Sequence, residues 1–239
     1  MKKLCNITVV VFLLFWSCAS LAAATVITVS GYAQMTPLTG KPEQLASGQR
    51  IESGAAIKTG EGSSATLRFD DGQAIALSAK TSFVINEYKF NAHKPEESSF
   101  IGSLLKGGMR AVTGIIGEAN KNNVTFKTDV ATVGIRGTDF QLFYDGKLYL
   151  TVQDGAISVA NEGGEEVFNE EEVSDIKGLP NPVGMVVNAT TKAKPITIDE
   201  LPAAALAVFR VLQMLPLSDK IREPNPDDPT CADRRKDRI

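Results

Sequence analysis

A two-residue beat constrains this chain more than any other feature. Apolar side chains alternate at Leu67/Phe69, Ile75/Leu77, Phe83/Ile85, Val124/Phe126, Phe140/Leu142, Leu148/Leu150/Val152 and Ile157/Val159. A period of two puts each set on one face of a strand. Between the sets stand Ser53-Gly54, Gly60-Glu61-Gly62, Asp71-Gly72, Asp145-Gly146, Asp154-Gly155 and Gly163-Gly164. Such pairs allow the positive φ of tight turns. Short strands with frequent turns over residues 25–177 predict an all-β fold, an antiparallel roll or sandwich.

Two stretches of that region are less regular. Phe100 to Gly114 holds four glycines, at 102, 107, 108 and 114. These argue against a helix, and the stretch reads as strands around a tight Gly107-Gly108 turn. Lys58-Thr59 leading to Asp71-Gly72 is echoed by Lys127-Thr128 leading to Asp145-Gly146. The two spacings differ, so no solenoid is expected.

The N-terminus reads as a secretory leader, residues 1–24. Lys2-Lys3 precede an apolar run from Leu4 to Trp16, and Ala22-Ala23-Ala24 offers small residues for a cut after Ala24. The expected location is periplasmic or secreted, with no membrane span left after cleavage. Loss of Lys2 and Lys3 leaves 23 basic against 28 acidic residues, a net charge of −5. That balance argues against nucleic acid, which needs a concentrated basic face. Cys5 and Cys18 leave with the leader, so Cys231 stands alone.

Beyond the β region, residues 178–198 read as a loop-rich linker with Pro180, Pro182, Gly184 and Pro195. Asp199 resembles an N-cap, and an amphipathic helix is expected over 199–215. Its stripe of Leu201, Ala205, Val208, Leu212 and Leu215 must be buried, against the β domain or against a partner. Residues 216–239, rich in proline and charge, read as a disordered tail.

Arg136, held between Gly134-Ile135 and Gly137-Thr138, is the sharpest single residue. Its guanidinium is expected to turn inward as a brace on Asp139, Asp129, Asp70 or Asp71, because a buried charge needs a partner. The functional alternative is a site for an anionic ligand. The Asp-Gly pairs follow no calcium-loop spacing and read as turns. Glu165-Glu166 and Glu170-Glu171-Glu172 read as a solvated edge. His93 is the only histidine and has no nucleophile signature beside it. No catalytic residue, metal site or cofactor is expected.

Two runs together resemble a known family. Leu45, Gly48, Ile51, Gly54, Ile57 and Thr59-Gly60 lead to Ser63, Ala65, Leu67, Phe69 and Asp71-Gly72, then to Ile75, Leu77, Thr81, Phe83 and Ile85. Further on stand Thr128, Ala131, Gly134, Ile135, Arg136, Gly137, Thr138 and Phe140, followed by Val152, Gly155 and Val159. Over roughly residues 30–160 this resembles the FecR domain, with its Gly-[Ile/Val]-Arg-Gly-Thr-x-Phe signature. The resemblance implies an exported all-β domain. The family's named members are iron-transport regulators, in which a membrane helix joins that domain to a cytoplasmic anti-sigma segment. The expected role is a non-enzymatic module that binds an envelope or membrane protein or a cell-envelope component. The alternatives are a signalling subunit of a trans-envelope relay and, third, an enzyme on glycans, which needs two facing carboxylates.

Overall fold

A computed structural model describes residues 23–170, 183–215 and Leu217. The expected leader, apart from Ala23 and Ala24, lies outside the described residues, as does the expected tail apart from Leu217. The strands are β1 (Ala23–Ser30), β2 (Ala33–Thr36), β3 (Glu43–Gln44), β4 (Arg50–Glu52), β5 (Ala56–Thr59), β6 (Ser64–Phe69), β7 (Ala74–Leu77), β8 (Ser82–Lys89) and β9 (Ser99–Val112). A short helix, α1 (Ile115–Ala119), precedes β10 (Val124–Lys127), β11 (Thr132–Ile135), β12 (Asp139–Tyr144), β13 (Leu148–Asp154), β14 (Ala156–Asn161) and β15 (Gly164–Asn169). Then come β16 (Val183–Val186), β17 (Lys194–Ile196) and α2 (Ala203–Met214).

These strands form two facing layers. The first runs β4-β1-β6-β7-β9-β12-β13-β16-β17. The second runs β3-β2-β5-β8-β9-β10-β11-β14-β15. Every residue of the alternating sets is buried between them, at 2% exposure or less. The reason is the pleat: one face of each strand meets the opposite layer, and apolar residues there leave water together. Phe69, Phe100, Phe126 and Phe140 form a spine of rings with successive centroids 5.2 Å apart. Tyr88 adds a fifth ring edge-on to Phe69 at 5.0 Å. Edge-to-face contacts of this kind suit the ring quadrupole.

β9 belongs to both layers. Ser99–Lys106 pairs with β8, and Phe100–Ser103 also pairs with β10; Gly107–Val112 pairs with β12, and Met109–Val112 also with β7. The inward residues shift parity on the way, from Phe100, Gly102 and Leu104 to Met109 and Ala111. A strand passing to the facing layer must turn over, and the slip at Leu105–Lys106 does this. Gly107, at φ +88, makes the bend, and an added Cβ would stand 2.6 Å from Thr81 Cα. The expected turn between two strands is therefore a bend within one long strand, because both flanks keep their ladder partners. The pairing of β9 with β10 is parallel, an exception to the expected antiparallel order, and α1 lies in the return between them.

The echo in sequence corresponds to a repeated topology. β5 and β8 pair in the second layer around the β6–β7 hairpin of the first. β11 and β14 pair in the second layer around the β12–β13 hairpin of the first. The two hairpin turns hold Asp71-Gly72 and Asp145-Gly146, while the second unit opens at β11, later than Lys127-Thr128.

Two expectations for the C-terminal part are corrected. Residues 183–186 and 194–196, expected in a linker, extend the first layer as β16 and β17. The helix starts at Ala203, not near Asp199. Asp199 lies in a 3-10 turn, Ile198–Glu200, which Thr197 and Glu200 close as a reciprocal capping box.

Candidate functional site

The Thr128–Phe140 run is built from backbone needs outward. Thr128 Oγ1 donates to the Ala131 carbonyl at 3.1 Å and accepts from the Val130 and Ala131 N–H groups at 3.3 and 3.1 Å, closing the β10–β11 turn. β11 then alternates. Val133 and Ile135 enter the core, while Gly134 and the following Arg136 face outward. Gly137 turns the chain at φ +71. Thr138 is buried, and its N–H donates to Thr113 Oγ1 at 2.8 Å, while its carbonyl accepts from that hydroxyl at 2.9 Å. Phe140 joins the ring spine.

The outward residues of the motif meet in a cleft of about 660 Å³ on the open face of the second layer. Thr125, Gly134 and Ser158 form its floor, from β10, β11 and β14. The turn after α1 supplies a wall with Asn120, Lys121 and Asn122, and Arg136, Glu118 and Glu165 complete the rim. Gly134 leaves the floor low: a Cβ there would lie 2.8 Å from Ser158 Oγ. Arg136 is exposed and makes no side-chain hydrogen bond or ion pair among the described residues. A guanidinium beside hydroxyls and amides suits a polar ligand that carries an anionic group. Hydrogen-bonding chemistry of this kind serves recognition. His93 lies elsewhere, on the exposed β8–β9 connection, where its N–H donates to Asn91 Oδ1 at 3.0 Å.

Residues 55–158 match the family model described as FecR protein. This chain carries a FecR domain. No curated protein matches the chain. Two crystal structures of a proposed anti-sigma factor from Parabacteroides distasonis ATCC 8503 are similar to it, each at 16% identity, with TM-scores of 0.43 and 0.42. The match covers 59% of this chain, which spans 59% of the length of each of those.

The inward brace expected of Arg136 belongs to another arginine of the FecR domain, Arg110. On β9, with Met109 and Ala111 in the core, Arg110 points to the outer face of the first layer. Its Nε and Nη2 donate to Asp139 Oδ1 and Oδ2 at 2.8 and 2.6 Å. Its Nη1 reaches the Leu212 and Gln213 carbonyls at 3.5 and 3.4 Å. One guanidinium thus holds a carboxylate with two bonds and faces the negative end of a helix. That helix, α2, lies outside the matched residues. The pair is nearly enclosed, with side-chain exposures of 10% and 15%.

The stripe considered for partner contact is spent on this docking. Leu201 and Leu212 are buried with Ala205 and Phe209 in a cluster that includes Ala74, Ala76, Phe143, Tyr149 and Val183 of the first layer. Val208 and Leu215 pack on the same cluster, half-buried. Phe209, which the sequence reading missed, fills the centre of the buried stripe. Gly108 lets the helix approach, since a Cβ there would fall 2.2 Å from Val208 Cγ1.

Asp71 and Gly72 make the β6–β7 turn, with Gly72 at φ +85. Asp71 is 1% exposed. Its Oδ1 accepts from the Gln73 N–H at 3.2 Å, and its own N–H donates to Tyr88 Oη at 2.9 Å. Burial pushes its carboxyl above the usual Asp range, and bonds from the Gln73 and Ile116 N–H groups and the Tyr88 hydroxyl partly offset this. Asp71 Oδ2 accepts no well-formed hydrogen bond among the described residues. Tyr88 is held far above the ordinary tyrosine value, by burial first and by the Asp71 charge second. The neighbouring Asp70 pairs instead with Arg50, at 3.0 Å. Asp129 accepts from the Tyr144 hydroxyl at 3.3 Å. Among the described residues no group of three His, Cys, Asp or Glu side chains is placed to hold a metal, and no helix is long and apolar enough to cross a membrane.

Proposed function

We propose that this protein is an exported, non-enzymatic FecR-domain module that binds an envelope protein or cell-envelope component through the Arg136 cleft. One observation carries the reading: the outward residues of the Gly-Ile-Arg-Gly run, Gly134 and Arg136, converge in an open polar cleft with no internal partner for the guanidinium among the described residues. β15 lies beside it, paired in the ladder only with β14 among the described residues, and its Glu165 stands at the cleft rim. A strand edge next to a polar cleft suits an extended segment of another chain, which can add to the ladder while presenting a carboxylate to Arg136.

The test is photo-crosslinking in cells from positions 125 and 158 on the cleft floor, with position 147 on the β12–β13 turn as the control. Adducts from 125 and 158 that disappear in Arg136→Glu support the reading. Adducts from 147 alone overturn it.

A second reading, a signalling subunit in a trans-envelope relay, is supported by the FecR match. It requires the same surface to face a membrane protein. Transcript profiles that respond equally to gene deletion and to Arg136→Glu support it, and unchanged transcripts in both strains exclude it.

A further inference from the structure

Two bonds near the start of β1 satisfy the small-residue rule for export cleavage. Ser20 and Ala22 precede the Ala22–Ala23 bond, and Ala22 and Ala24 precede the Ala24–Thr25 bond. The fold separates them. Ala23 and Ala24 are 2% and 0% exposed. Ala24 sits opposite Ile51 on one side and Phe69 on the other, inside the first layer. The Ala23 N–H donates to Asp70 Oδ2 at 2.9 Å, and the Asp70 N–H donates back to the Ala23 carbonyl at 3.2 Å. The Asp70 carboxylate is fixed in turn by two Arg50 bonds, at 3.0 and 3.1 Å. A cut after Ala24 removes both buried residues and leaves Asp70 without this donor. A cut after Ala22 keeps the whole strand and places a new terminal nitrogen on a carboxylate already oriented for it.

We infer that an export peptidase cuts between Ala22 and Ala23, and that the Ala23 ammonium so released is clamped by Asp70 within an Arg50–Asp70–ammonium triad. This moves the mature start two residues upstream of the sequence expectation. The step is hydrolysis. The Ala22 C–N bond breaks, water supplies the second oxygen of the Ala22 carboxylate, and the Ala23 nitrogen takes up protons to become an ammonium. A single amide donor to Asp70 becomes a charged donor with three hydrogens, and charge-assisted bonds are the stronger kind. The inference stands apart from the Arg136 cleft, which lies in the other layer.

The full 239-residue chain exported with its own leader tests the cut, by N-terminal sequencing and intact mass of the recovered protein. A first residue of Ala23 is expected. Thr25, or a retained leader, overturns the inference. In a second arm, chains starting at Ala23 are compared with chains carrying one extra glycine before it, which restores an amide. The extension is expected to lower Tm by about 2–4 °C, and to have no effect in an Asp70→Asn background. Equal shifts in both backgrounds overturn the clamp while leaving the cut intact.

Discussion

Arg110 closes on Asp139 with two parallel bonds, 2.8 and 2.6 Å long, beneath the last turn of α2. The same guanidinium faces the carbonyls of Leu212 and Gln213. One arginine of the sandwich thereby fastens a helix about a hundred residues further along the chain. Breaking one side of an enclosed pair strands the other charge. Arg110→Met is expected to cost about 3 kcal/mol, whereas Arg110→Met with Asp139→Leu returns to within about 1 kcal/mol of the parent. Urea denaturation of the three proteins checks this, with protease sensitivity of α2 as the local readout.

Asp71 sets a pH dependence with a definite sign. Its carboxyl is raised in the fold, so it holds its proton more tightly there than in the unfolded chain. Its contribution is greatest below the ordinary Asp range and is lost as pH rises from that range through the raised value. The unfolding free energy of the parent minus that of Asp71→Asn is therefore expected to fall with rising pH over this window. Denaturation series at several pH values measure the difference.

Two glycines separate backbone strain from collision. Gly72 and Gly107 have nearly equal φ, +85 and +88. Around Gly72 an added Cβ meets nothing within 4 Å, while at Gly107 it meets Thr81 Oγ1 at 2.5 Å. Gly72→Ala is expected to cost about 1 kcal/mol, the left-handed penalty alone. Gly107→Ala should cost at least twice that, read as a difference in chemical denaturation midpoints at unchanged slope.

Phe100 touches Phe69, Tyr88 and Phe126 at once. Phe100→Ala is expected to cost about 4 kcal/mol, the range for a fully buried ring. Tyr32, 52% exposed, is the control. Tyr32→Ala should stay within about 0.5 kcal/mol, as for ordinary surface changes.

The inward residues were legible because a pleat has only two faces and alternation names one of them. The glycines misled for an equally physical reason. Gly102, Gly108 and Gly114 are spaces, not breakers: an added Cβ would strike the Phe83 ring, Val208 and Asp71 respectively. Sequence cannot tell a glycine that bends from one that makes room. Asp139 was among the carboxylates expected to hold a buried guanidinium, but the guanidinium is Arg110. Glycines beside Arg136 suggested backbone freedom, whereas alternation along β11 sends Arg136 outward. Arg110 carries no local mark, since its burial depends on a helix that docks from far along the chain. Phe209 has no distinct sequence mark either, because its neighbour Val208 continues the same apolar spacing while Phe209 is the one fully buried.

β9 has a consequence for how such a domain can change over time. Residues 23–98 and 113–215 each lack the middle of both layers, which only Ser99–Val112 supplies. A gene break on either side of that strand parts β9 from a pairing strand in each layer, β7 and β8 before it or β12 and β10 after it. Growth by accretion at the rims, where β3, β15 and β17 lie, remains open to the lineage, while splitting or shuffling through the centre does not.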